Sequence, residues 1–252
     1  MIDVQRISVT PVKGTTLHHP DEIQIERFGV RGNRRFLFVD PRRTTYNAGR
    51  LGPLMGVRAD VEGDSLTFTL PDGSSLCGAV HPGGEVVELD MWGRTLLVRR
   101  VPGPWDEAIS SLVGLPLRLV EPVEPGDGND DEPITLVSLA SVAALATEAG
   151  ADHVDAGRFR MTLDIDGVGA HEEDSWAGRR IRVGSAVLRV GDQVPRCVLT
   201  TWDPGSGDRD LDTLRIIRKY RGRTHDGLPF GMYASVIEPG VVRAGDEIRL
   251  LT

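Results

Sequence analysis

Short segments in which apolar and polar side chains alternate recur along almost the whole chain, and nearly every one is closed by Gly, Pro, Asp or Asn. Alternation with a period of two sends one side chain into a core and the next into solvent, the pattern of a strand in a half-buried sheet. Residues 23–26, 35–39, 66–70, 86–89, 95–99, 117–120, 158–165, 186–190, 196–201, 232–237 and 247–251 carry it. The run 66–70 leads into Pro71-Asp72-Gly73, the chemistry of a hairpin turn. Many short strands separated by turn residues predict a β-rich barrel or sandwich. With 30 Gly and 16 Pro in 252 residues the chain can make the reversals, and 40% hydrophobic residues supply the core.

Three stretches follow the helical period instead. Residues 105–113 are preceded by Pro104 and ended by Gly114. Residues 139–149 have Ser138 as N-cap, Val142, Leu145, Ala146 and Ala149 along one face, and Gly150 as terminator. Residues 213–220 begin after Asp212 and gather Arg218 and Lys219 near the end, as the helix dipole favours. The segment EPVEPGDGNDDEP (121–133) has acidic residues and prolines but no aromatics, which predicts an exposed, mobile connection.

Composition excludes several functions. A net charge of -8 argues against a basic nucleic-acid-binding surface. The longest nearly apolar stretch, 134–146, falls short of the about 20 residues that span a bilayer, so no membrane partner is expected. The opening residues show no basic region followed by an apolar one, so a cytoplasmic protein is expected. Two cysteines, Cys77 and Cys197, cannot build a disulfide framework or a four-thiolate cluster.

The candidate chemistry lies elsewhere. Cys197 stands where a Pro-interrupted turn is expected to enter a β-branched strand, a place that would hold a thiol rigidly, although a lone cysteine among Val and Leu is more often inert core. In the run 158–165, strict alternation puts Arg158, Arg160 and Thr162 on one strand face, a platform for a phosphate or carboxylate, or simply a solvated face. Lys13 after Pro11-Val12, Arg31, Arg34 and Arg35 around Gly29 and Gly32, and Arg50 near Gly49 and Gly52 are basic residues near glycines, which let an anion approach closely. The helix after Ser138 offers free N–H groups, with Ser141 in its first turn. His171-Glu172-Glu173-Asp174 lacks the ligand spacing of a helical zinc site, and a Cys–His pair of Cys197 with His153, His171 or His225 has no local signature.

From residue 133 onward the chain resembles the MOSC domain, the fold shared with the C-terminal part of molybdenum cofactor sulfurase. The resemblance rests on PITLVSLASVAAL (133–145), RFRMTLDIDG (158–167), HEEDSW (171–176), PRCVLTTWDP with GSG (195–207) and FGMYASVIEPGVVRAGDEIRL (230–250). Ahead of it, TPVKG (10–14), GVRGNRRFLFVD (29–40) and NAGRLGPL (47–54) resemble the β-rich N-terminal domain that accompanies MOSC in the mitochondrial amidoxime-reducing component and its bacterial relatives. This implies an α+β, mainly β fold: an N-terminal β domain (1–95) packed on a MOSC β-barrel domain (96–252) that owns the first helix, the strand after it and the acidic loop 121–133.

The resemblance also implies a molybdopterin-bound molybdenum cofactor, with Cys197 giving a thiolate to the metal and Lys13, Arg34, Ser138, Ser141 and Arg160 around the pterin and its phosphate. The chain departs from the family pattern at Gly14, where Ser is frequent, at Met161-Thr162, where Pro-Asn is frequent, and at Asn33, where Asp is usual. The implied function is a molybdenum-dependent oxidoreductase that reduces a small N-hydroxylated or N-oxide substrate. The alternative is a carrier of the cofactor or its sulfur without turnover. Without a dinucleotide fingerprint, a thiolate cluster or room for an appended domain after the last strand, the electrons are expected from a separate donor protein, with the acidic loop one possible docking element.

Overall fold

The computed structural model describes residues 1–40, 52–81 and 83–251; Arg50 and most of the 47–54 stretch lie outside them. A seven-stranded sheet runs in the order β1 (Asp3–Ile7), β12 (Leu163–Asp166), β11 (Ile134–Ser138), β15 (Pro229–Glu238), β14 (Ala186–Pro195), β13 (Arg180–Val183), β17 (Ile248–Leu251). Its neighbours are antiparallel except β11 and β12. The sheet curls until its ends meet: Ile248 N donates to Ile2 O at 2.8 Å, and Val4 N to Asp246 O at 3.0 Å. Closure gives both edges partners, which is what a barrel does for exposed strand edges.

Three smaller sheets complete the β structure. One orders β16 (Gly240–Arg243), β2 (Glu22–Glu26) and β3 (Gly29–Val30); another is the meander β5 (Arg58–Glu62), β6 (Ser65–Thr69), β7 (Ser75–Ala79). The four-stranded one runs β4 (Leu37–Val39), β10 (Arg118–Pro122), β9 (Arg94–Arg100), β8 (Gly83–Met91). The expected hairpin at 71–73 joins β6 to β7, with Leu70 N donating to Ser74 O and Gly73 in the left-handed region. The expected helices form: α1 (Trp105–Val113), α2 (Leu139–Ala149) and α3 (Thr213–Tyr220). Their ends behave as their residues dictate, with Ser138 accepting from Ser141 N, Asp212 accepting from Arg215 N, and Gly114 and Gly150 left-handed.

Packing divides the chain differently from a cut at residue 95. One hydrophobic core joins Phe36, Phe38, Leu66 and Phe68 to Trp105, Ile109, Leu117 and Leu119, so α1 and β10 belong with the N-terminal strands. The Trp105 ring lies 5.7 Å from that of Phe68. The barrel core instead takes Val4, Ile7, Ile23 and Ile25 from the start of the chain and packs them with Leu136, Leu163, Trp176 and Leu188. The physical reason is sheet pairing: β10 hydrogen-bonds β4 and β9, whereas β1 hydrogen-bonds β12. A third cluster, Val142, Leu145, Phe159, Ile217 and Phe230, seats α2 and α3 on the barrel.

One expected strand is shortened and another is absent. Residues 158–165 alternate in sequence, yet Ala156–Phe159 forms a 3-10 turn capped by Asp155, Arg160 is left-handed at φ 52°, and the strand begins only at Leu163. After Pro195 the chain leaves β14, and Val198–Thr201 is another 3-10 turn rather than the strand expected over 196–201. The acidic segment is also not a solvated connection. Glu121 and Pro122 are in β10, Gly128 and Asn129 are buried, and Asn129 Nδ2 donates to Phe28 O at 3.1 Å.

This division of the cores predicts that the fragment 96–252 does not fold alone, because it loses β1 from the barrel and strips α1, β9 and β10 of their partners. It is expected to show no cooperative thermal transition and collapsed amide dispersion by NMR. A cooperative transition in that fragment would contradict the shared core.

Candidate functional site

A cavity of about 650 Å³ opens between the two cores. The N-terminal side contributes Lys13, Gly14, Arg34 and Trp92; the barrel side contributes Asp130, Asp131, Thr135, Arg158, Arg160, Arg196, Cys197 and Tyr233.

Lys13 and Gly14 stand on a turn tied to itself and to its neighbour. Lys13 N donates to Phe36 O at 2.9 Å, Thr15 Oγ1 donates to Val12 O at 2.8 Å, and Gly14 has φ 97°, a conformation glycine adopts at little cost. The next loop is set by Asn33, whose Oδ1 accepts from Thr10 N, and it turns at Arg34, left-handed at φ 50°. Both cations then meet one carboxylate from the acidic segment: Lys13 Nζ lies 2.6 Å from Asp130 Oδ1, and Arg34 Nη1 lies 2.7 Å from Asp130 Oδ2. Lys13 also donates to Gly128 O at 2.9 Å and lies 4.6 Å from the centre of the Trp92 ring. Burial, only partly offset by Asp130, pushes the Lys13 ammonium down to about 8. Burial would raise the Asp130 carboxyl, but Lys13 and Arg34 outweigh it and hold that group well below the usual carboxylate range.

The barrel wall carries the other cations. Arg160 Nη2 donates to Thr15 O at 2.6 Å, and Arg34 Nη2 donates to the Arg160 carbonyl at 3.2 Å, so Lys13, Arg34 and Arg160 converge on one cavity from distant parts of the chain. Arg158 is 5% exposed and ion-paired with Asp203 and Asp210. Arg196, which the sequence reading did not single out, packs over Phe159, donates to the Phe159 carbonyl and lies 3.3 Å from Met161 Sδ. Its guanidinium is pushed down by burial. The Nε atoms of Arg158 and Arg196 are buried with no hydrogen-bond partner among the described residues. Such donors cost about 1–3 kcal/mol each if left unpaired, so this wall fits a ligand rich in anionic acceptors.

Cys197 lines the same cavity with an exposed side chain. It is held by its neighbours: Arg196 N donates to Leu228 O, and the Cys197 carbonyl accepts from Thr200 N and Oγ1 at 3.2 and 3.0 Å. Cys77 is on β7, away from the cavity. No histidine lines the cavity among the described residues, so Cys197 has no hydrolase-type base there. His171 instead packs against Tyr220 and Phe230, and burial pushes it down to about 4. No group of three or more His, Cys, Asp or Glu side chains converges to hold a metal ion among the described residues.

Ser138, Ser141 and Thr162 are not among the lining residues. The helix N-terminus at Ser138 already holds an anion from within: the buried Glu173 carboxylate accepts from Ser138 N at 3.1 Å and from Ser141 Oγ at 2.7 Å. Thr162 faces Thr135, which does line the cavity; Thr162 N donates to Thr135 Oγ1 at 2.9 Å. Asp130, Asp131, Trp92 and Tyr233 also escaped the sequence reading. Tyr233 donates to Asp131 Oδ2 at 3.2 Å, and burial beside Asp130 and Asp131 raises its hydroxyl above the ordinary range. Trp92 is half exposed at the β8–β9 turn.

Comparison with known proteins gives a match to the MOSC domain family over residues 124–249. The chain is similar to the mouse protein named mitochondrial amidoxime-reducing component 1, 33% identical over 49% of this chain and 38% of that one. It is also similar to the molybdenum cofactor sulfurase of Caenorhabditis briggsae, 32% identical over 49% of this chain and 17% of that one. With human mitochondrial amidoxime-reducing component 1 the identity is 27% over 98% of this chain and 82% of that one. In the first of these matches the chain spans well under half of its relative's length. No described helix is long and apolar enough to cross a membrane.

Position 14 gives a direct check on the turn that presents Lys13. A Cβ there would meet only Leu54 at 3.6 Å, an ordinary contact, so the penalty for a side chain is one of backbone conformation. Gly14→Ser is expected to cost about 1 kcal/mol, roughly 2–4 °C in Tm for a chain of this size. An unchanged melting curve in calorimetry would contradict the left-handed turn.

Proposed function

The chain belongs to the MOSC domain family, and from that premise we propose that its cavity holds the molybdenum cofactor and reduces small N-oxygenated compounds. The observation that carries the proposal is the joint lining of one cavity by the accessible Cys197 thiol and five cationic side chains, two of which keep a buried, unpartnered Nε. A soft thiolate suits a soft metal, and arginine forks suit a phosphate. Two relatives carry names that speak of amidoxime reduction and one carries a name that speaks of the molybdenum cofactor, which supports the same reading.

In this reading Cys197 supplies the protein's thiolate to the metal, held in place by the hydrogen bonds on its carbonyl. Lys13, Arg34 and Arg160 bind the phosphate of the pterin, with Arg158 and Arg196 giving donors to its remaining acceptors. When bound, the group supplies two-electron reduction of an N–O bond. Ser138, Ser141 and Thr162 serve through support: the first two fix Glu173 under α2, and Thr162 fixes Thr135 at the wall. The electrons come from a separate donor protein, and the compartment is the cytoplasm.

Cys197→Ala is expected to abolish reduction of a hydroxylamine by an artificial reductant, while Cys77→Ala keeps wild-type turnover. Full activity in the Cys197 variant would overturn the thiolate assignment. A wild-type chain that holds molybdenum but is not reoxidised by the hydroxylamine in a single turnover would instead be a cofactor carrier.

A further inference from the structure

The outer face of the barrel over β14, β13 and β17 is charged against the sign of the whole chain. The pairing registers place Arg189, Arg180 and Leu251 in one row across these strands, and Val187, Arg182 and Arg249 in the next. Residues directly opposite each other share a face, so four arginines occupy six neighbouring positions of one lattice. Arg189 stands against Arg180, and Arg182 against Arg249, like charge opposite like charge, which works against sheet pairing. All four are exposed. Arg249 is paired with Glu247, whereas Arg180, Arg182 and Arg189 make no side-chain hydrogen bond or ion pair among the described residues. On the flank, Arg189 meets Ser235 of β15, and Glu238 lies beyond Val187. The face therefore gathers a surplus of positive charge on a chain whose net charge is -8.

We infer that this face docks a partner protein through an acidic helix. Adjacent strands lie about 4.8 Å apart, and residues two apart on one strand about 6.7 Å apart. Side chains three or four residues apart on a helix stand about 5–6 Å apart, between those two spacings, so one acidic helix face meets the arginines in step. Three strands measure about 10 Å across, the width of one helix with its side chains. An arginine grips a carboxylate with two donors of its planar fork, which orients the helix as well as attracting it. The large apolar side chains exposed among the described residues all lie off β13, β14 and β17. The face thus lacks the apolar side chains that a bilayer surface buries and the aromatic ones on which single-stranded bases stack. The contact is almost wholly electrostatic, fast to form and screened by salt. It stands whatever the cavity holds.

The probe is a fluorescent peptide of about 20 residues, long enough to be helical, with glutamates three and four residues apart on an alanine background. A control peptide with glycine in place of alanine carries the same charge without the helix. Binding to the full chain is read by fluorescence anisotropy at about 20 mM and about 150 mM salt. The wild type is expected to bind the helical peptide more tightly than the control, and more weakly as salt rises. Arg180→Gln, Arg182→Gln and Arg189→Gln are each expected to weaken binding about twofold to fivefold, the range of one exposed ion pair. All three together are expected to weaken it about tenfold or more. Arg99→Gln, on β9 of another sheet, is expected to leave it unchanged. Circular dichroism checks each fold, and the single variants decide the matter if the triple one does not fold. Single variants that bind as the wild type does overturn the inference, and so does a wild-type chain that ignores the peptide. Equal affinity for the glycine peptide overturns the helix. Tighter binding to vesicles of phosphatidylserine and phosphatidylcholine, or to short duplex DNA, overturns the choice of a protein partner.

Discussion

The architecture turns on a partly buried carboxylate shared by two cations. Unit charges about 4 Å apart at an effective dielectric of about 20 interact by roughly 4 kcal/mol, so two buried like charges cannot be gathered cheaply and an opposite charge between them changes the sign. Asp130 supplies that charge for Lys13 and Arg34. Because Lys13 and Arg34 come from the loops before β2 and before β4, and Asp130 from the segment between β10 and β11, the bridge also pins the loops around the cavity to one another. Arg158 follows the same rule on the opposite wall, where Asp203 and Asp210 compensate it.

Where structure follows local chemistry, the sequence was legible. Alternation located β2, β6, β9, β15 and β17, and Pro104, Ser138, Asp212, Gly114 and Gly150 bounded the helices. Even the missed strands β5 and β13 carry alternation in Arg-Ala-Asp-Val-Glu and Arg-Ile-Arg-Val. Legibility ended where distant partners decide. Residues 158–162 alternate perfectly and still form a turn, because Arg158 is drawn inward by acids some fifty residues away and Arg160 reaches back to Thr15. Composition made 121–133 a solvated loop; its own Gly126 and Gly128 let it lie on Phe28 and Arg34, but those residues, and the cations that pair with its Asp130, belong to other segments. Sheet pairing is long-range for a related reason: β1 pairs with a strand more than a hundred residues later, which no linear cut respects.

The site was legible in part. Cys197, Lys13, Arg34, Arg158 and Arg160 do share a cavity, through residue types that stand out anywhere in a chain. Arg196 was overlooked beside the more conspicuous cysteine. Ser138 and Ser141 show the opposite case: a helix N-terminus is an anion site by its backbone alone, but here the protein's own Glu173 fills it. A cation cluster likewise does not by itself demand a ligand, since part of its charge is met internally.

The central claim, an anionic molybdenum cofactor held by cations from both halves of the molecule, is tested most directly by elemental analysis of the chain purified from a host that makes the cofactor. The account predicts one molybdenum and one phosphorus per wild-type chain, and loss of both when Lys13, Arg34 and Arg160 are replaced together by uncharged residues in a chain that still folds. A wild-type chain without molybdenum, or a triple variant that keeps both elements, would contradict it.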